Sequence, residues 1–149
     1  KIPGFSEYLH PYGDGRLLGI GMAVDEEAIT TDGVKLSMFD ISDPTDVQEM
    51  TIYVIENMYG TDVASNYKAA FVDTEKNLFG FTAWAENKNS YYIFTFDETE
   101  GFHKVFEREL SDWGETRGLY AGDRFYLICG SSVESYTLDG FEKIDDLVL

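Results

Sequence analysis

Apolar and polar residues alternate with a period of two along most of this chain, the spacing of strands rather than helices. The run Lys35 to Val47 shows it best: Lys-Leu-Ser-Met-Phe-Asp-Ile-Ser-Asp-Pro-Thr-Asp-Val. Leu36, Met38 and Asp40 point one way, and Ser37, Phe39 and Ile41 the other. Ser42, Asp43 and Pro44 then stop the run with turn-forming side chains. Strands are predicted before it over 4–12 and 16–24, separated by the tight turn Gly13-Asp14-Gly15, and after it over 47–55. The pattern returns twice. Strands over 66–72, 77–84, 91–97 and 103–110 form a second set, and 116–120, 124–129, 133–138 and 141–149 a third. No stretch keeps a helical period.

The sets align with one another. Leu17-Leu18-Gly19-Ile20 sits beside Leu78-Phe79-Gly80-Phe81, which places Gly19 and Gly80 in register. Phe39 and Ile41 recur as Phe94 and Phe96, then as Tyr136 and Leu138, so these six are predicted to be buried on matching strands. Four strands in about 40 to 60 residues, joined by short connections, predict antiparallel meanders of the propeller-blade type. The expected fold is all-β: three four-stranded blades over 1–57, 58–113 and 114–149. They read as part of a larger ring, because free-standing propellers close with about four to eight blades. The chain begins at Lys1 without Met and reads as an excised piece. The outer faces of the first and third blades should then be bare, with Leu17, Ile20, Tyr126 and Ile128 as candidates, and a homodimer through them is the simplest assembly.

Composition narrows the partners. At 149 residues the chain can bury one real core, and 15% aromatic content suits strands. The net charge of -17 argues against nucleic acid, whose phosphates need clustered Lys and Arg, and against an anionic membrane surface. No apolar run reaches membrane-span length, so no membrane insertion is expected from this segment. Cys129 is the sole cysteine, which excludes an internal disulfide and a Cys-based zinc site; in its apolar run it is expected to be buried and inert.

Candidate chemistry is sparse. His10 and His103 are the only histidines, and no Gly-x-Ser-x-Gly elbow accompanies them, so no catalytic residue is assigned. Asp40, Asp43 and Asp46 in one turn, and Asp25, Glu26 and Glu27 in another, are the candidates for calcium. Neither has the EF-hand spacing, and the simpler reading of Asp43-Pro44 is an Asx side chain capping its own turn. No cofactor and no tightly held ion are expected. Trp84, in strand register, is expected in the core; Trp113, between Asp112 and Gly114, is the exposed candidate for stacking on a sugar or anchoring a protein.

Residues 2–12, Leu17-Leu-Gly-Ile-Gly21, residues 35–44 and Lys76-Asn-Leu-Phe-Gly-Phe81 resemble secreted prokaryotic proteins with a C-terminal β-propeller domain, itself distantly similar to WD40 propellers. Arg117-Gly-Leu-Tyr-Ala-Gly-Asp123 and Val133-Glu-Ser-Tyr-Thr-Leu138 are similar to the end of that domain. The resemblance implies an extracellular or cell-surface location and brings no established activity or catalytic residue. The expected role is a non-catalytic binding or scaffold module with a protein or glycan partner. The alternative is a carboxylate-based enzyme acting on polysaccharide, which would need a concave pocket with facing carboxylates and perturbed pKa values.

Overall fold

The computed structural model describes residues 4–27 and 30–149. Ile2 and Pro3 of the resemblance motif, and Ala28 and Ile29 of the acidic loop, lie outside the described residues. The first sheet is β1 (Gly4–Pro11), β2 (Arg16–Val24), β3 (Thr31–Asp40) and β4 (Gln48–Ile55). The second contains β5 (Gly60–Thr61), β6 (Phe71–Asp73), β7 (Leu78–Ala85), β8 (Lys88–Asp97) and β9 (Gly101–Glu109). The third is β10 (Thr116–Ala121), β11 (Arg124–Cys129), β12 (Ser132–Thr137) and β13 (Lys143–Val148). Each is an antiparallel meander of four strand positions, and the second sheet fills its first position with two short pieces, β5 and β6, both paired to β7. The molecule is all-β, and the three sheets form an open arc rather than a closed ring.

The repeat sets which side chains face which neighbour. Leu17 pairs with Phe39, Phe79 with Phe94, and Phe125 with Tyr136. In each sheet this pair faces the preceding sheet. Phe79 and Phe94 therefore meet the first sheet, and Phe125 and Tyr136 the second. Phe94, Phe96 and Tyr136 are buried, as the alternation predicted. Phe39, Ile41 and Leu138 are only half-buried. Phe39 faces the outer side of the first sheet, where no further sheet covers it, while Leu138 packs at the edge of the second core.

Two details of the predicted register are corrected. Gly19 pairs with Ser37 and faces outward, whereas Gly80 pairs with Ile93 and faces the third sheet. They are one position out of step, and a one-residue slip reverses the face. Ile20, expected on the outer surface, is fully buried with Leu18 and Met22 against the second sheet. The outward positions beside it are Gly19 and Gly21. Leu17, Tyr126 and Ile128 are half-buried on the outer faces.

The two junctions between sheets differ. The first is a continuous apolar core in which Leu18, Ile20, Leu36 and Met38 meet Phe79, Phe81, Tyr92 and Phe94. Tyr53 of β4 packs edge-on against Phe94 at 5.1 Å. The second core is smaller, built on Tyr91, Ile93, Phe106, Phe125, Leu127 and Tyr136. Phe106 and Tyr136 meet edge-on at 4.9 Å. Beside them Arg108 of β9 forks onto Glu134 of β12 at 3.0 and 2.9 Å, the bidentate geometry that fixes orientation best. That fork holds the Glu134 carboxyl down at about 2.

Candidate functional site

The predicted strand over 66–72 is the largest departure from the sequence reading, and it builds the site. Only Phe71–Asp73 is strand. Residues 62–70 instead make two short 3-10 turns, Asp62–Ala64 and Tyr67–Ala69. The Asn66 side chain accepts the Lys68 N–H at 3.2 Å and starts the second turn, local competition that a strand loses to. Apolar Tyr67, Ala69 and Phe71 imitate strand alternation without forming one.

The consequence falls on β7. Its partner strand stops at Thr61, opposite Ala83, and resumes at Phe71, opposite Gly80. The Thr82 N–H lies in the gap, and the Asp62 carboxylate accepts it at 3.1 Å. The gap opens into a cleft of about 360 Å³ between the second and third sheets. Asp62 and Thr82 line it with Trp84, Trp113, Glu115 and Arg117.

Trp84 corrects the expectation of a core residue: it is 40% exposed. Phe79, Phe81 and Ala83 alternate toward the first junction, so Trp84 points to the second, into the cleft. Its ring lies against Gly60, where a Cβ would sit 2.5 Å from the indole; only glycine leaves room. Trp113 is 59% exposed, as its flanking residues predicted. Its loop is anchored on both sides. Asn89 donates from Nδ2 to the Asp112 carbonyl at 3.0 Å, and Asp112 Oδ1 accepts the Gly114 N–H at 2.8 Å. A large ring is thus held out on a short, braced loop.

Burial pushes the Asp62 carboxyl up to about 6. The Thr82 N–H and hydroxyl and the Arg117 guanidinium hold the rise back. The Thr82 hydroxyl is near the carboxyl yet meets no partner at hydrogen-bonding geometry. Arg117 donates to Glu115, and Asn66 Nδ2 reaches the same Glu115 oxygen at 3.2 Å. The cleft therefore has aromatic walls, a protonatable carboxyl in its floor and an ion pair at its side. Such a constellation suits a ligand with apolar faces and hydroxyl edges.

The other sequence candidates lie elsewhere. Asp40 Oδ1 accepts from the Ser42 N–H and hydroxyl, and Asp43 Oδ1 from those of Thr45. Asp46 accepts from the Gln48 amide. Each carboxylate closes its own turn, which is why Asp40 and Asp43 fall below the usual carboxylate range. Asp25 accepts the Thr30 N–H and hydroxyl, while Glu26 and Glu27 are exposed. His10 Nδ1 bonds the Tyr8 hydroxyl at 2.8 Å in β1, and His103 lies beside Glu100 on β9. Cys129 is buried and free, with the Thr116 hydroxyl 3.3 Å from its sulfur.

Antiparallel four-stranded sheets laid face to face in chain order, with a cleft at a sheet boundary, define a propeller-type module. This chain belongs to the beta propeller domain family, whose sequence model matches residues 1–141. It is 32% identical over 149 residues to an uncharacterized protein of Archaeoglobus fulgidus, a match that covers all of this chain and 21% of that protein. An uncharacterized protein of Methanocaldococcus jannaschii is 31% identical over 100 residues, which is 67% of this chain and 14% of that protein. The chain thus spans a small part of the length of these relatives.

Proposed function

We propose that this module is a non-catalytic binding unit of an extracellular or cell-surface protein, and that it takes a glycan in the cleft between its second and third sheets. The observation that carries the reading is the pair of exposed indoles, Trp84 and Trp113, on one cleft of sugar-binding size. Trp rings stack on the CH faces of sugars, and the polar groups between them can take hydroxyls. The extracellular location rests on the family resemblance and fits an acidic chain. The test is a glycan screen with the purified protein, followed by titration calorimetry. Trp113→Ala is expected to weaken binding at least about tenfold, the usual scale of an aromatic anchor. Binding that ignores Trp113, or a screen with no hit, refutes the reading.

A second reading has one observation in its favour. Asp62 is a half-buried carboxyl with its pKa raised to about 6, and Glu115 stands on the same cleft. A glycosidase needs an acid of that kind opposite a second carboxylate. Slow release of reducing ends from a bound oligosaccharide, abolished by Asp62→Asn, would replace the binding role with hydrolysis.

A further inference from the structure

Among the described residues, four buried hydroxyls have no hydrogen-bond partner: Thr61, Thr82, Ser90 and Tyr91. All four lie on β5, β7 and β8, around the place where the first strand of the second sheet is broken. Groups of this kind are rare in native proteins, and each asks for a water or a ligand. Two of them, Thr82 and Tyr91, are cross-strand partners on the face toward the third sheet. Tyr91 is sealed away from the cleft. Its hydroxyl is wedged at Gly118, where a Cβ would come within 2.2 Å of it, and at Gly80 on the other side. Thr82 is different. It lines the cleft, and its hydroxyl, closed to solvent as it stands, sits beside the half-buried Asp62 carboxyl, so that a ligand reaches it by parting the two.

We infer that Asp62 and Thr82 form a hydroxyl-binding floor in this cleft, and that its ligand is a neutral sugar. The inference rests on the glycan-binding reading and adds the residues and the class. A sugar hydroxyl both donates and accepts. Asp62, when ionised, only accepts; the Thr82 hydroxyl can do either. Two neighbouring hydroxyls of one ring can therefore meet both groups, one donating to Asp62 and one accepting from Thr82, while the ring's CH face lies on an indole. An acidic sugar fits badly. Arg117 is the one cation lining the cleft among the described residues, and it is already paired with Glu115. A second carboxylate there would face Asp62 and Glu115 in a chain of net charge -17.

The test separates a ligand-facing hydroxyl from one that merely belongs to the fold. Thr82→Val keeps the shape and removes the hydroxyl. It is expected to leave the melting temperature unchanged or raise it, and to weaken a neutral gluco-, manno- or galacto-oligosaccharide at least about fivefold by calorimetry, the loss of one hydrogen bond. Thr82→Ser, which keeps the hydroxyl, is expected to hold the affinity and serves if the valine variant does not fold. Unchanged affinity in Thr82→Val, with binding still lost in Trp113→Ala, overturns the floor and leaves the module reading standing. A lowered melting temperature with unchanged affinity makes the hydroxyl structural and overturns it equally. Oligo-uronates that bind as tightly as neutral sugars overturn the assigned class. No sugar binding at all removes the module reading and this inference together.

Discussion

The two sheet junctions are built from the same repeat and end differently. At the first, large apolar side chains fill the centre, and Leu18, Leu36, Met38, Phe79, Phe81 and Phe94 are fully buried, with Thr61, Ala83 and Ser90 at one margin. At the second, Gly80, Thr82 and Gly118 occupy positions on the facing surfaces, and an ion pair stands beside a smaller core. The first junction is a place to store stability. Unmatched buried hydroxyls stand at both junctions, Thr61 and Ser90 toward the first and Thr82 and Tyr91 toward the second, but of the four only Thr82 lines the cleft. Incomplete packing around a cleft, rather than a catalytic motif, is what sets the second junction apart.

Phe94→Ala gives the sharpest contrast. It removes a fully buried ring that stacks on Phe79 and Phe81 and meets Tyr53, and should cost about 3 to 5 kcal/mol in denaturant melts. Phe39→Ala removes its repeat equivalent from the half-covered outer face and should cost under about 2 kcal/mol. Equal losses would erase the difference between a junction and a bare face.

The second junction should respond to pH through Asp62. A carboxyl whose folded pKa, about 6, exceeds its ordinary 3.8 binds its proton more tightly in the folded state. Ionising it opposes folding. This contribution is neutral below pH 4, lowers stability as pH climbs from about 4 to 6, and stays unfavourable above. Asp62→Asn still accepts the Thr82 N–H but cannot ionise, so it should raise stability at pH 7 by about 1 to 3 kcal/mol and change little at pH 4. A variant that is less stable at pH 7 than at pH 4, relative to wild type, contradicts the burial argument.

Outer faces extend the comparison to surfaces with no sheet over them. Leu119, Tyr126, Ile128, Val133 and Leu147 form one stripe across the third sheet, running over all four of its strands. Leu9, Leu17, Phe39 and Ile52 lie on the outer face of the first. We propose that the isolated chain pairs through these faces, and light scattering should give twice its 16.9 kDa mass. A monodisperse monomer at high concentration excludes the pairing. The smallest effect expected is none: calcium titrated against the turn of Asp40, Asp43 and Asp46 should produce no low-micromolar transition. One that Asp43→Ala abolishes would reassign that turn.

Strand placement was readable because alternation and turn chemistry agree. Arg16–Val24 and Arg124–Cys129 have the bounds that the sequence predicts. Facing was readable from Phe39, Phe94 and Tyr136, whose rings report a side of the sheet. Gly19 and Gly80 misled because a glycine has no side chain to report one. The cleft was hidden for a different reason. Asp62 becomes a site residue only because the strand breaks after Thr61 and brings its carboxylate to Thr82, 20 positions away in sequence. A clue existed in the weak match of residues 58–65 to any strand of the other repeats, together with Asn66 as a turn starter.

The broken first strand also bears on how such a module can diversify. β7, β8 and β9 are in register through their own hairpins, and β5 and β6 clasp β7 on either side of residues 62–70. Lengthening that segment at its exposed positions, Ala64, Ser65, Tyr67 and Lys68, changes one wall of the cleft and leaves every ladder in place while Val63 and Ala69 stay in the first core, and the entropic cost of a longer surface loop rises only slowly with its length. Residues 64–68 are therefore a natural grafting site, where a new loop can be introduced without redesigning the sheets that carry it.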